Sequence, residues 1–143
     1  MENNEANCIN EFIELSDKEL EDLEERLDNY DRNYTNYKID GNIRIGIKKD
    51  NKLIAGAYAC MTSFRIMYVC TVYVEEDYRN KGYGRALMNE IEVRAKEIGA
   101  NMIRLDTFDW QGREFYKALN YEEVGYYRSD EDNFSESFFL KRI

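Results

Sequence analysis

Ten residues from Arg65 to Val74 carry apolar side chains at both odd and even positions. A strand of that kind is satisfied in the middle of a sheet, covered on both faces. Acidic Glu75-Glu76-Asp77 ends it, and Arg79-Asn80-Lys81-Gly82-Tyr83-Gly84 follows. From about Tyr83 to Ile98 the spacing becomes helical, with Ala86, Leu87, Ile91, Ala95 and Ile98 inward and Gly99 as the left-handed residue past the helix end. A covered strand that feeds a helix through a short polar connection constrains the chain to an α/β sheet.

The remaining segments fit around that unit. Ile9, Phe12, Ile13 and Leu15 read as a short first strand, preceded by a polar tail over residues 1–7. Ser16-Asp17-Lys18-Glu19 reads as a capping box, and Leu20, Leu23, Leu27, Tyr30 and Tyr34 form an apolar stripe on an acidic helix. Ile43, Ile45 and Ile47 alternate with Arg44, Gly46 and Lys48, and a turn at Asp50-Asn51 leads into Leu53 to Met61 as a β-hairpin. Met102 to Thr107 reads as a strand, Gln111 to Leu119 as a short helix, and Tyr121 to Tyr127 and Phe134 to Leu140 as the last strands. The predicted order is β-α-β-β-β-α-β-α-β-β over one domain, residues 1–143, with a mixed sheet. The Phe134–Leu140 strand is expected at an edge or a dimer contact, which makes a homodimer possible.

Composition narrows the chemistry. The chain has 143 residues, 43% of them hydrophobic, enough for one core. No histidine is present, which removes His-based acid–base chemistry, catalytic triads and His-ligated metals. Cys8, Cys60 and Cys70 lack metal-type spacing; no metal site is expected, and Cys60 and Cys70 read as small hydrophobes within strands. Residues 1–28 hold 11 acids and 2 bases, whereas residues 29–143 hold 18 of each. The net charge of −9 therefore lives in the N-terminal segment. No extended basic face is available for nucleic acid, and no apolar run approaches the roughly 18 residues of a membrane span. Met1 is followed by acidic and amide residues rather than a signal-peptide pattern, so a cytoplasmic location is expected.

The stretch from Arg79 to Arg85 has the chemistry of an anion cradle. Backbone N–H groups at a helix start point outward, the helix dipole favours negative charge there, and Gly82 and Gly84 lack a Cβ that would hold a phosphate away. Arg79, Lys81 and Arg85 add positive charge. A solvated surface loop with turn glycines is the alternative reading of these residues. A Walker loop does not fit, because no Gly-Lys-Ser/Thr follows, and the third glycine of a dinucleotide fingerprint is missing.

Some 30 residues on, Asp109 to Tyr121 contains Phe115-Tyr116 and Asn120-Tyr121. Together with Val72-Tyr73-Val74 and the Arg79–Gly84 stretch, this resembles the GNAT superfamily of N-acetyltransferases. Its signature is a strand, Arg/Gln-x-x-Gly-x-Gly/Ala, a helix, a strand, then Phe/Leu-Tyr-x-x-x-Gly/Asn-Phe/Tyr. The resemblance implies a mostly antiparallel sheet splayed between two parallel strands, Arg65–Val74 and Asn101–Phe108. It also implies acetyl-CoA as cosubstrate. The diphosphate would lie on the N–H groups of Arg79, Asn80, Lys81, Gly82, Tyr83, Gly84 and Arg85, and the pantetheine arm along Val72, Tyr73 and Val74. An N–H near Val72 would face the thioester oxygen. Tyr83 and Phe115 are read as packing residues as well.

Tyr116 matches the hydroxyl that protonates the departing thiolate; without that match it reads as a core aromatic. Asp109 stands where many relatives carry Asn, so it would accept from the pantetheine amide without the amide's donor. Tyr68 and Arg104 stand where some relatives keep a catalytic Glu. The remaining carboxylates nearby, Asp106, Asp109 and Glu75, read as strand-end or loop groups, which ranks ordered water first as the base. Asp130-Glu131-Asp132 with Glu136 reads as a solvated loop, with an acceptor rim as the alternative. The implied activity is direct transfer of acetyl to a primary amine of a small molecule or peptide. Two other readings are a CoA-binding regulatory module without turnover and an acidic interaction domain that uses residues 11–34.

Overall fold

The computed structural model describes residues 11–35 and 40–143 of the chain. The chain divides into two compact units, residues 1–37 and 38–143. In the first, helix α1 spans Asp17–Asp31. The expected capping box is formed: Glu19 N–H donates to Ser16 Oγ at 3.2 Å, and Ser16 N–H donates back to the Glu19 carboxylate at 3.1 Å. The Ser16 hydroxyl also donates to the Glu19 carboxylate at 2.8 Å, and this bond, with that from the Ser16 N–H, holds the Glu19 carboxyl below its ordinary range. Two donors at the helix start are thereby satisfied, a contribution of about 1 kcal/mol. No residue of α1 is buried. The expected first strand is absent: Phe12, Ile13 and Leu15 are exposed and in no strand, and Ile9 and residues 1–7 lie outside the described residues.

The second unit holds a six-stranded sheet built from β1 (Asn42–Lys49), β2 (Lys52–Met61), β3 (Ile66–Val74), β4 (Met102–Phe108), β5 (Glu122–Ser129) and β6 (Phe134–Arg142), in the order β1-β2-β3-β4-β6-β5. Every neighbouring pair is antiparallel except β3 and β4. The β1–β2 hairpin turns on Asp50 and Asn51, both left-handed at φ 49° and 61°, the two-residue geometry that matches strand twist. The strand from Phe134 is β6, and it sits between β4 and β5, so it is no edge. Phe139 of this strand pairs with Leu105 on one side and Glu123 on the other, and its side chain is buried.

Helix α2 (Tyr83–Glu97) packs on the sheet with Leu87, Met88, Ile91 and Ala95, against Met67, Val69 and Ile103 among others. Met88 takes the place expected for Ala86, which is exposed, and Ile98 lies past the helix end, more than a third exposed. Gly99 follows in the left-handed conformation at φ 101°, as the sequence requires. A short helix α3 (Arg113–Ala118) precedes β5. Its Arg113 guanidinium grips the Glu123 carboxylate through two bonds, 2.7 and 3.0 Å, which fixes α3 to β5. That contact holds the Glu123 carboxyl down at about 2.

Strand β3 departs from its expected environment. Met67 and Val69 are buried, but Cys70, Thr71 and Tyr73 are exposed. The ladder to β2 skips a residue at Cys70, so the side-chain alternation resets there and one face of the strand remains open. Cys70 is accordingly not a buried hydrophobe; its Sγ lies 3.5 Å from that of Cys60, which is half-buried.

Candidate active site

The parallel pair β3–β4 is short. Ile66, Met67 and Tyr68 pair with Met102, Ile103 and Arg104, and there the pairing stops. Beyond that point residues 69–74 of β3 pair only with β2, and residues 105–108 of β4 pair only with β6. The strands part, and the side of β3 that includes Val72, Tyr73 and Val74 is left without a strand partner, its backbone donors and acceptors available to an extended ligand.

The chain leaves β3 through a 3₁₀ turn, Glu76–Tyr78, and Arg79 ties the connection back by donating from Nε to the Val74 carbonyl at 2.9 Å. Its guanidinium also lies 5.5 Å from the Tyr73 ring centre, and Lys81 Nζ lies 5.7 Å from that of Tyr78. Asn80 and Gly82 are both left-handed, at φ 60° and 91°. Gly82 caps α2 without a side-chain bond, and its carbonyl accepts from Ala86 N–H at 3.0 Å. The N–H groups of Gly82, Tyr83, Gly84 and Arg85 have no partner among the described residues. The contrast with α1 is physical: α1 begins with Asp17, Glu19 and a capping box, whereas the first turn of α2 holds no acid. Its donors and dipole are left for an external anion.

The two glycines differ. An added Cβ on Gly82 would meet nothing within 4 Å, so that position opens outward. A Cβ on Gly84 would lie 3.1 Å from Phe115 Cζ, so this glycine makes room for the Phe115 ring. Phe115 and Tyr83 both pack on the core, in accord with their reading as packing residues.

Tyr116, from α3, is buried to within 8% of full enclosure, its ring against Phe115, Tyr121 and Phe139. Gly112 makes this fit possible, since a Cβ there would come within 3.1 Å of the Tyr116 ring. Its hydroxyl has no hydrogen-bond partner among the described residues, and since no fully buried side-chain oxygen among them is unpaired, the O–H keeps some exposure. Burial, and next the charge of Asp106, push this phenol up to about 12. Tyr68 reaches across from β3 and donates to Asp106 Oδ2 at 2.7 Å, which together with burial pushes it up to about 12 as well. The Arg104 guanidinium lies 4.4 Å from the Tyr68 ring centre. Asp109 is exposed past the end of β4, its N–H bonded to the Ser135 carbonyl at 3.0 Å.

The predicted residues therefore lie in three places: Arg79–Arg85 at the start of α2 with Val72–Val74 leading to it, Tyr116 on α3, and Asp109 exposed past the end of β4; Tyr68 and Asp106 meet where the strands part. Reading along the chain gave no part to Gly112, and none to the Tyr68–Asp106 bond. The only local signal was that Arg104 and Asp106, two apart on a strand, share a face. An open groove of about 330 Å³ between β1 and α2, lined by Arg44, Ile47, Ala86 and Arg94 among others, contains none of these residues.

A family model described as "Acetyltransferase (GNAT) family" matches residues 9–121. The fold is that of a crystal structure of an acetyltransferase from Bacillus cereus, at 28% identity and a TM-score of 0.84, over 94% of this chain and 98% of that one. It is also similar to an aminoglycoside 6′-N-acetyltransferase complexed with coenzyme A, at 17% identity and a TM-score of 0.63, over 90% and 81% of the two chains. Over 62 residues the chain is 31% identical to the thialysine N-epsilon-acetyltransferase of Bos taurus, a stretch that covers 42% of this chain and 36% of that protein.

Proposed function

The chain belongs to the GNAT acetyltransferase family, and from that premise we propose that residues 1–143 form one acetyltransferase domain that moves acetyl from acetyl-CoA to a primary amine of a small molecule or peptide, by direct attack in a ternary complex. The observation that carries this reading is the parting of β3 from β4 beside an uncapped, acid-free helix start. The residues fit the cosubstrate: outward space at Gly82, free N–H groups from Gly82 to Arg85 for a diphosphate, and an unpaired strand side at Val72–Val74 for the amide-bearing arm. Arg79, Asn80 and Lys81 complete the cradle, and Asp109 accepts from the arm at its far side. Bound there, acetyl-CoA would supply an activated thioester.

This chain's own residues do the rest. A β3 N–H near Val72 faces the thioester oxygen and stabilises the negative charge that grows on it. Tyr116, protonated throughout the neutral range and partly exposed at its hydroxyl, gives a proton to the sulfur as it leaves. The acceptor's class is supported by relatives named for thialysine and for an aminoglycoside, both amines. The test incubates the protein with acetyl-CoA and a panel of amines and follows thiol release. Amine-dependent release supports transfer; CoA binding with no release for any amine leaves a binding module instead.

A further inference from the structure

Asp106 takes a hydrogen bond from across the parting strands. Tyr68 of β3 donates to its Oδ2 at 2.7 Å, and its charge, after burial, adds to what raises the Tyr116 phenol of α3. Asp106 stands on β4 two residues past Arg104, the last residue to pair with β3, and so level with the place where the strands part. Its Oδ1 accepts no hydrogen bond from a described residue. The other carboxylates do not share that position. Glu136, opposite Phe108 on β6, is bonded by the Tyr127 hydroxyl; Asp109 is exposed beyond the strand end; Glu75 lies at the far end of β3 with its N–H on the Ile54 carbonyl. Arg104 is committed to the face of the Tyr68 ring.

We propose that Asp106 is the catalytic base for the acceptor, with Tyr68 as the positioning residue that aims its free oxygen at the incoming nitrogen. The inference rests on the acetyl-transfer reading above. The acceptor arrives as an ammonium ion, and Asp106 Oδ1 takes one of its protons. The freed lone pair forms the C–N bond, and the C–S bond breaks with its electron pair left on sulfur. Tyr116 protonates that sulfur, and the nitrogen's second proton restores the Tyr116 hydroxyl. The proton on Asp106 passes to solvent, so one proton is released per amide formed. Tyr68 from β3 bonds Asp106 directly, Arg104 lies two residues before it on the same strand, and the charge of Asp106 reaches Tyr116 of α3.

A base matters only when the nucleophile must lose a proton before it attacks, and that property separates a chemical role from a structural one. Asp106→Asn and Tyr68→Phe are compared with the unsubstituted protein using lysine, a polyamine and an aminoglycoside, and using hydroxylamine, which is already neutral at pH 7. With the strongly basic amine that is acetylated best, Asp106→Asn should lower kcat/KM by about 10²–10⁴-fold, and Tyr68→Phe by about tenfold. With hydroxylamine both losses should shrink to less than about fivefold, while the CoA dissociation constant stays unchanged. Equal losses with both kinds of nucleophile, or none, would overturn the assignment while leaving acetyl transfer intact. If the unsubstituted protein acetylates no basic amine, the acetyl-transfer reading falls and this inference falls with it.

Discussion

Replacing Gly82 by alanine isolates what the start of α2 does. Gly82 sits at φ 91° and ψ 1°, where an L side chain strains the backbone by about 1–2 kcal/mol. The new methyl would touch nothing within 4 Å, so no clash adds to that strain. In a chain of this size the melting temperature should fall by about 3–6 °C. The methyl projects into the space assigned to the diphosphate, and loss of one charge-assisted hydrogen bond costs about 1.5–3 kcal/mol. The dissociation constant for CoA, read by titration calorimetry, should therefore rise about 10–150-fold.

Gly84→Ala is the control, because its methyl turns inward, 3.1 and 3.3 Å from Phe115 Cζ and Cε2. Its helix propensity gain of about 1 kcal/mol offsets the displaced ring, and CoA affinity should change less than about threefold. The family signature, which accepts alanine at this place, agrees. A Gly82→Ala protein that melts lower yet binds CoA as tightly as before would refute the cradle. One that melts at the original temperature would refute the strain argument.

Tyr116→Phe should lower kcat by about 10²–10⁴-fold with CoA affinity unchanged, since only an unpartnered hydroxyl is removed; full activity across pH 6–9 would end the proton-donor role. The same phenol links stability to pH. Its value is raised from 10.0 to about 12 in the folded chain, so the neutral form favours folding below pH 10, and that contribution is lost as pH climbs toward 12. By pH 11 the loss from this residue is about 1.4 kcal/mol, and the unfolding free energies from urea titrations at pH 8 and 11 should differ by that much less in Tyr116→Phe. Ser16→Ala removes an acceptor from the start of α1, at about 1 kcal/mol; amide exchange at Glu19 should quicken about fivefold, and unchanged protection would show that the cap is not what closes that turn.

Signals carried by neighbours along the chain were legible without coordinates. Ser16 and Glu19 are three residues apart, Asp50 and Asn51 adjacent, and Gly99 directly follows its helix, so each device is complete within one turn of backbone. The two halves of the GNAT signature were likewise readable, and with them the splayed pair of strands. Tertiary structure decided what depends on which strand lies beside which. The extra residue at Cys70 reverses the alternation of β3, and nothing in the local pattern marks it, because a bulge is defined only against the partner strand. Gly84 is small for the sake of Phe115, 31 positions later, and Gly112 for a ring four residues on. Asp106 read as an ordinary strand carboxylate until Tyr68, 38 residues earlier, was found bonded to it. A side chain's chemistry is set by its spatial neighbours, and for residues on parallel strands those neighbours come from far along the chain.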